Sequence, residues 1–173
     1  EPRDDKNPSY GPLIKMKRVG KDGELFNIFK LRTMHPYSEY IQDYIHRKYD
    51  IEDKGKFKND FRITSWGKVF RKMWLDELPQ LLNFFRGELS IVGVRALSKH
   101  YFNLYPAEIQ KLRTKFKPGL VPPYYADMPE SFEEILESEK RYILARENHP
   151  VSTQIKYFFK AMYNIIFKKA RSK

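Results

Sequence analysis

The sequence predicts an α+β fold: a mostly helical single domain, residues 1–173, with a small N-terminal β-hairpin and amphipathic helices. Three observations support this prediction. The length suits one domain with its own core, and the contents of 41% hydrophobic and 16% aromatic residues argue against disorder. Near the N-terminus apolar residues alternate with basic ones, as they do in a strand. Further along the chain apolar residues recur with the period of a helix.

Composition restricts the possible functions. Lys and Arg number 33 against 22 Asp and Glu, and the net charge of +11 attracts nucleic acids, anionic lipids or phosphorylated small molecules. The absence of cysteine excludes disulfides and thiolate chemistry. No apolar run approaches the roughly 20 residues that span a bilayer. Because the chain begins with Glu1, we expect any N-terminal membrane segment to have been lost from it.

The N-terminal part of the chain is predicted to be a leader followed by a hairpin. Residues 1–12 contain three prolines and a glycine among charged residues, so we expect a loose leader. Residues 13–19 alternate apolar and basic side chains, and residues 25–32 form a second short extended stretch. Residues 20–23, Gly-Lys-Asp-Gly, are turn formers that join the two strands of the expected β-hairpin.

Short helices are predicted after the hairpin. The predicted helices cover residues 37–49, 63–73, 76–86, 98–115 and 131–148. The polar residues 50–60 are predicted to form a charged loop, and the proline-rich residues 118–129 separate two of the helices. We expect a helix break near Trp74, with Pro79 tolerated in the first turn of the helix that follows.

The last predicted helix, residues 153–170, is amphipathic. Its apolar stripe consists of Ile155, Phe158, Phe159, Met162, Ile165 and Ile166. Its other face carries Lys156, Lys160, Asn164 and Lys168. The pattern fits a terminal helix docked on the core, and it also fits a basic helix at an anionic membrane surface, with aromatic side chains at the headgroup boundary.

Residues 62–95 contain the strongest chemical signal in the chain. Asp76 and Glu77 stand at the predicted start of a helix, with Arg71 before them and Arg95 after them. If the fold brings these groups together, guanidinium groups and helix amides bind phosphate oxygens while a carboxylate meets a metal or a phosphorus atom. Helix capping and the helix dipole also favour acidic residues at a helix start. From the residues alone, both interpretations stay open.

Motifs over about residues 10–97 carry a family resemblance. They are, in order, Gly11-Pro12, Arg18-Val19-Gly20, Asp22-Gly23, Lys30-Leu31-Arg32-Thr33-Met34, Arg62-Ile63-Thr64, Gly67, Arg71, Leu75-Asp76-Glu77-Leu78-Pro79-Gln80-Leu81, Asn83, Gly87-Glu88-Leu89-Ser90-Ile91-Val92-Gly93 and Arg95. This series resembles the bacterial sugar transferase family of polyprenyl-phosphate phosphoglycosyl transferases. The resemblance implies a monotopic enzyme of the bacterial inner membrane, with an N-terminal re-entrant anchor and an active site on the cytoplasmic face.

The resemblance also implies a mechanism. An Asp-Glu dyad works with Mg²⁺: the aspartate attacks the β-phosphate of a UDP-sugar, releases UMP and forms a phosphosugar-enzyme intermediate. Polyprenyl (undecaprenyl) phosphate then attacks this intermediate, in the first membrane step of polysaccharide or glycoconjugate synthesis. Carried onto this chain, Asp76 is the nucleophile and a metal ligand, and Glu77 is its partner in metal binding or proton handling.

Basic residues complete the implied site. Arg95 and Arg71 match phosphate-binding positions of the family, and Lys30 and Arg32 match its basic motif. Cations of this kind and Mg²⁺ screen the approach of a carboxylate to a diphosphate. Arg62, by contrast, is expected to be a surface charge. The expected partners are a UDP-sugar, polyprenyl phosphate and inner-membrane lipid, and no nucleic acid is expected.

Two departures from the family pattern stand out. The family usually has Pro-Arg-Pro where this chain has Val94-Arg95-Ala96. The usual Thr-Gly and a following Gln are replaced in the segment 120–125, Leu-Val-Pro-Pro-Tyr-Tyr, which we expect near the nucleotide or sugar and interpret as the mark of a different substrate. Two alternatives remain: a basic, aromatic nucleic-acid-binding module, and a catalytically silent membrane-peripheral scaffold.

Overall fold

The computed structural model of the protein describes residues 11–39 and 60–168. The predicted fold class is confirmed: the fold is mostly helical α+β, with an N-terminal hairpin and a small parallel sheet. Within the described residues, every helix is too short or too polar to cross a bilayer. Most of the predicted helix over 37–49 and of the charged loop over 50–60 lies outside the described residues, apart from a 3₁₀ turn at Pro36–Glu39.

The predicted hairpin is confirmed. Strand β1 (Leu13–Val19) pairs with strand β2 (Leu25–Leu31) in a two-stranded sheet. The turn between them holds Asp22 at φ 55° and Gly23 at φ 80°, left-handed values that glycine and aspartate tolerate best. Of the predicted leader, residues 1–10 lie outside the described part. Pro12 is not loose, because its carbonyl accepts a 2.6 Å hydrogen bond from the backbone of Arg32.

The chain divides into two compact units. The first consists of residues 1–16 and 29–80, with residue 173, and the second of residues 17–28 and 81–172. That residues 1–173 act as one catalytic domain stays a prediction.

The first unit contains helix α1 (Ser65–Lys72) and a short turn that follows it. Thr64 caps α1, because its side-chain oxygen accepts a 3.0 Å hydrogen bond from the amide of Gly67. A Cβ atom on Gly67 would lie 2.2 Å from the Thr33 carbonyl oxygen, so only glycine allows α1 to approach so closely. As predicted, the helix breaks at Trp74, whose φ of 58° is left-handed.

The helix predicted over 76–86 is shorter than expected. Leu75–Glu77 form a 3₁₀ turn, and helix α2 covers only Gln80–Phe85. Pro79 therefore lies before α2 and not in its first turn. Because Pro79 has no N–H, it cannot close an α-helical bond to the Leu75 carbonyl, and that carbonyl accepts instead from Leu78 at 3.3 Å.

The second unit is built around a parallel strand pair that sequence analysis did not predict. Strand β3 (Ser90–Val92) pairs with strand β4 (Gly119–Val121), with Ser90 opposite Gly119 and Val92 opposite Val121. The single helix predicted over 98–115 is wrong. It is two helices, α3 (Lys99–Asn103) and α4 (Ala107–Thr114), because Pro106 interrupts the hydrogen-bond ladder.

Three further helices complete the second unit. Helix α5 (Tyr124–Asp127) lies in the proline-rich segment, and helix α6 (Phe132–Asn148) confirms the prediction over 131–148. Helix α7 (Pro150–Phe167) begins and ends three residues earlier than predicted, with Pro150 in its first turn.

The docked face of α7 differs from the predicted one. Its buried residues are Thr153, Tyr157, Ala161 and Asn164. The predicted apolar stripe is half-buried or exposed instead, with Ile155 54%, Phe159 67% and Ile166 65% exposed. Asn164 is not on the solvent face, because its amide donates to the backbone carbonyls of α5 residues Tyr125 and Ala126, at 3.0 and 2.8 Å. Small and polar side chains let α7 approach the polar backbone of α5 closely.

Candidate active site

The 3₁₀ turn Leu75–Glu77 presents the two acidic residues that sequence analysis singled out. Trp74, in its left-handed conformation, precedes the turn and supplies no side-chain cap. Asp76 lies inside the turn and is buried, with only 8% of its surface exposed. Neither acid lies in the first turn of an α-helix, because α2 begins only at Gln80. The capping interpretation of Asp76 therefore has no geometric support, and a buried carboxylate remains to be explained.

A lysine from strand β2 lies beside the acidic pair. The Nζ atom of Lys30 is 2.6 Å from Oε1 of Glu77, and the two side chains are 17% and 31% exposed. The positive charge of Lys30 also acts on Asp76. Lys30 thus lies beside both acids within the first unit, and its predicted binding of a substrate phosphate stays a prediction.

Arg71 is oriented by a buried threonine. Its Nε donates a 2.8 Å hydrogen bond to Oγ1 of Thr33, which is only 4% exposed. The Thr33 carbonyl in turn accepts from the backbone and the side chain of Thr64, at 3.0 and 3.1 Å. Arg71 itself is exposed, and its terminal nitrogens make no hydrogen bond within the part of the chain that the structure describes. Thr33 thus fixes the direction of a guanidinium whose outer edge remains available.

The expectation that Arg62 is a surface charge is wrong. Arg62 is 4% exposed and binds Asp60 through two parallel hydrogen bonds, Nε to Oδ1 at 2.8 Å and a terminal nitrogen to Oδ2 at 2.6 Å. Burial opposes ionisation of Asp60, but the hydrogen bonds from Arg62 hold its pKa below the ordinary value. Sequence analysis assigned no role to Asp60 or to Thr33, although both stand within two residues of motif arginines.

The local charges decide the protonation of Asp76. Burial raises the pKa of Asp76 above its ordinary value. The cation of Lys30 opposes this rise, the neighbouring carboxylate of Glu77 adds to it, and Arg71 opposes it. A carboxylate with a raised pKa is more basic than usual, and a cluster of this kind is typical of reactive sites.

The other two predicted phosphate-binding residues, Arg32 and Arg95, make hydrogen bonds to residues outside the turn Leu75–Glu77. The Nε of Arg32 donates to the Gly11 carbonyl at 3.1 Å, at the base of the hairpin. Arg95 belongs to the second unit, where a terminal nitrogen donates to the hydroxyl of Tyr124 at 2.7 Å. The roles of Arg32 and Arg95 toward substrate, and any meeting of Arg95 with Asp76, stay predictions.

The acidic pair suits a cation that brings its own ligands. Among the described residues, no group of three or more acidic or histidine side chains could enclose a metal ion. Mg²⁺ is often bound by one or two carboxylates and completes its octahedral shell with water and substrate phosphates. Asp76 and Glu77 fit a site of this open type, in which two carboxylates bind the ion and water and substrate supply the other ligands.

Comparison with known proteins identifies relatives. The sequence profile of the family described as "Bacterial sugar transferase" matches residues 6–168. The chain is 34% identical over 138 residues to the galactosyl transferase CpsE of Streptococcus agalactiae, in a match that covers 77% of this chain and 30% of that protein. It is 39% identical over 110 residues to the exopolysaccharide production protein ExoY of Rhizobium meliloti, covering 60% and 48%.

A third relative has an informative name. The chain is 36% identical over 116 residues to the UDP-glucose:undecaprenyl-phosphate glucose-1-phosphate transferase of Caulobacter vibrioides, covering 65% of this chain and 39% of that protein. The matches thus span less than half the length of each of these three relatives.

Proposed function

Because the chain belongs to the bacterial sugar transferase family, we propose that it moves a sugar 1-phosphate from a UDP-sugar to undecaprenyl phosphate. This is the reaction type that the name of the Caulobacter relative gives for that protein. The product is a lipid-linked sugar, the first membrane intermediate of a polysaccharide or glycoconjugate. The observation that carries the proposal is Asp76, a buried carboxylate with a raised pKa beside Glu77, Lys30 and Arg71.

The proposed reaction has two steps at one phosphorus atom. A carboxylate oxygen of Asp76 attacks the β-phosphorus, the bond from that phosphorus to the bridging oxygen breaks, and UMP leaves with the bridging oxygen. The product is an aspartyl-phosphosugar on the enzyme. A phosphate oxygen of undecaprenyl phosphate then attacks the same phosphorus and releases the Asp76 carboxylate, so the enzyme returns to its starting form.

The basic residues offset the negative charges of the Asp76 carboxylate and of the substrate phosphates. Lys30 stabilises the ionised form of Asp76, which is the form that attacks. Arg71, held by Thr33 through Nε, directs its terminal nitrogens to a phosphate oxygen. Arg95 and Arg32 are assigned to further phosphate oxygens on the family resemblance.

The dyad has a second role in the proposal. Asp76 and Glu77 are the residues that hold Mg²⁺, which supplies positive charge beside the diphosphate when it is bound. Glu77, which is paired with Lys30 through Oε1, would be the second carboxylate that holds this ion.

Helix α7 supplies the surface for a membrane-embedded substrate. Its exposed apolar side chains Ile155, Phe159 and Ile166 make a strip that the described chain leaves uncovered. Lys156 and Lys168 are also exposed on α7 and add positive charge. An amphipathic helix of this kind lies in the interface of an anionic bilayer. We therefore assign α7 to the cytoplasmic face of the inner membrane.

A substrate screen tests the proposal. The protein is incubated with Mg²⁺, undecaprenyl phosphate and each of a panel of UDP-sugars, and UMP release is measured. We expect continuous release of UMP with one UDP-sugar or a few related ones. This steady-state release should require both the UDP-sugar and undecaprenyl phosphate. If no UDP-sugar gives UMP where the Caulobacter relative turns over its own substrate, the proposal fails and the silent-scaffold alternative is favoured.

A further inference from the structure

We infer that Tyr124 is a positioning residue that fixes the direction of the Arg95 guanidinium in the substrate site. A terminal nitrogen of Arg95 donates a 2.7 Å hydrogen bond to the Tyr124 hydroxyl. The two residues stand 29 positions apart and belong to the two segments in which this chain departs from its family's pattern. The inference rests on the proposed function, because Arg95 is assigned there to a substrate phosphate.

The backbone of Arg95 is held from the other side by a buried ion pair. A terminal nitrogen of Arg113 donates to the Arg95 carbonyl at 2.5 Å. Arg113 also pairs with Glu139, and the two side chains are only 4% and 2% exposed. The Arg113 guanidinium packs 4.7 Å from the ring centre of Tyr105. Because the donor is itself fixed by a buried carboxylate and a ring, it holds the Arg95 carbonyl firmly.

The residues on either side of Arg95 are fixed as well. Val94 and Ala96 are 4% and 8% exposed, and the Val94 carbonyl accepts a 3.0 Å hydrogen bond from the amide of Gly119 in strand β4. Prolines would restrict this loop through φ. Here burial and hydrogen bonds restrict the backbone on both sides of Arg95 instead.

Tyr124 contacts the Arg95 side chain from a rigid part of the fold. It begins helix α5, directly after Pro122-Pro123. Asn164 of α7 holds two carbonyls of α5, and Lys160 of α7 binds Asp127 at the end of α5 at 2.9 Å. The hydroxyl therefore meets Arg95 from a short helix that is anchored along its length.

The chemistry of the partner matters for a phosphate site. A carboxylate at this position would orient Arg95 and also cancel its charge. A tyrosine hydroxyl is a neutral group that can accept the hydrogen bond. The contact with Tyr124 therefore directs Arg95 without adding a negative charge beside it, as electrostatic preorganisation for a substrate oxyanion requires.

Removal of one oxygen atom tests the inference. In Tyr124→Phe we expect kcat/KM for the UDP-sugar to fall about tenfold, the effect of one lost hydrogen bond to a charged group. The melting temperature should stay close to that of the wild type, because the ring is kept. Tyr101→Phe, which changes an exposed tyrosine of α3, is the matched control and should keep full activity.

A double-mutant cycle separates positioning from a direct role. If Tyr124 acts only through Arg95, Tyr124→Phe has no further effect in an Arg95→Ala background. A further loss of the same tenfold in that background would overturn the inference, because Tyr124 would then act on its own.

A readout without activity distinguishes this inference from the proposed function. Side-chain ¹⁵N relaxation reports the mobility of the Arg95 Nε–H bond, and we expect it to rise in Tyr124→Phe and not in Tyr101→Phe. If the wild type releases no UMP but this mobility change occurs, the proposed function fails and the positioning role stands. If the wild type is active and Tyr124→Phe changes neither kcat/KM nor mobility, the positioning role is refuted.

Discussion

Asp76 shows how single charges set the reactivity of a residue. Its carboxylate is buried next to one lysine and one acid, and these two neighbours push its pKa in opposite directions. The pKa is a direct measure of how strongly each form is stabilised, because one unit corresponds to about 1.4 kcal/mol. The neighbours can therefore be tested one at a time.

Two substitutions should move the pKa of Asp76 in opposite directions. Lys30→Met removes the main opposing cation, so the pKa should rise further above its ordinary value. Glu77→Gln removes a like charge beside Asp76, so the pKa of Asp76 should fall. The measurement is a ¹³C titration of the Asp76 carboxyl carbon in metal-free protein. Lys111→Met, at an exposed position on α4, is the control.

The burial of Arg62 and the contact of Thr33 with Arg71 could not be predicted from the sequence. The motif Arg62-Ile63-Thr64 was visible, but its arginine was expected on the surface. Its burial depends on a bidentate contact with Asp60, and a sequence does not show whether a neighbouring acid points inward or outward. Thr33 orients Arg71 across 38 positions of sequence, a contact that only the folded first unit creates.

Among the elements, those with a long or regular pattern were predictable. The first strand of the hairpin, which alternates apolar and basic residues, and the 17-residue helix α6 follow from periodicity. Strands β3 and β4 have three residues each, too few to show a pattern, and their pairing depends on the close approach of Gly93 and Gly119. Helix α7 was predicted as an element, but its docked face was not, because Asn164 is buried for its hydrogen bonds and not for its hydrophobicity.

The connection between α5 and α7 should depend on pH. The side chain of Asp127 is buried at the end of α5. Burial opposes ionisation of Asp127, but hydrogen bonds from Lys160, Arg141 and Ser138 hold its pKa below the ordinary value. The unfolded chain takes up the proton first as pH falls, so Asp127 stabilises the fold fully above about pH 4 and loses this effect as pH falls through the depressed pKa.

Asp127→Asn measures this contribution. At pH 7 we expect the free energy of unfolding to fall by about 1–2 kcal/mol, a value limited by the exposure of Lys160 and Arg141. Urea titrations should show the difference between wild type and variant closing below pH 4. Glu108→Gln, in an exposed pair with Lys140, should show little change at either pH. A difference that persists unchanged at pH 3 would contradict the ionised assignment.

The exposed strip of α7 should bind membranes in a charge-dependent way. We expect the protein to sediment with anionic vesicles more than with neutral ones at low salt, and less as salt rises, since exposed charges are screened beyond roughly 10 Å at 0.1 M. Lys156→Gln with Lys168→Gln should weaken the anionic preference, and Phe159→Ser with Ile166→Ser should weaken binding to both. Lys160 is left unchanged, because it pairs with Asp127. Equal binding to the two vesicle types would refute the charge dependence, and no binding to either type would refute the membrane assignment of α7.

At the scale of the whole molecule, the net charge of +11 suits a protein whose proposed substrates are anionic. Both substrates carry phosphate, and a basic protein raises the local concentration of such partners. Charge alone would equally attract nucleic acid. The buried position and raised pKa of Asp76, together with membership of the sugar transferase family, favour the transferase.

Capture of the covalent intermediate tests the central claim, that Asp76 is the nucleophile. The protein is mixed with Mg²⁺ and its UDP-sugar without undecaprenyl phosphate, and UMP and intact protein mass are measured together. We predict a burst of about one UMP per protein and a mass gain of one sugar phosphate on the peptide that contains Asp76. Asp76→Asn should show neither signal while melting close to the wild-type temperature. A burst and a mass gain that persist in Asp76→Asn would contradict the account.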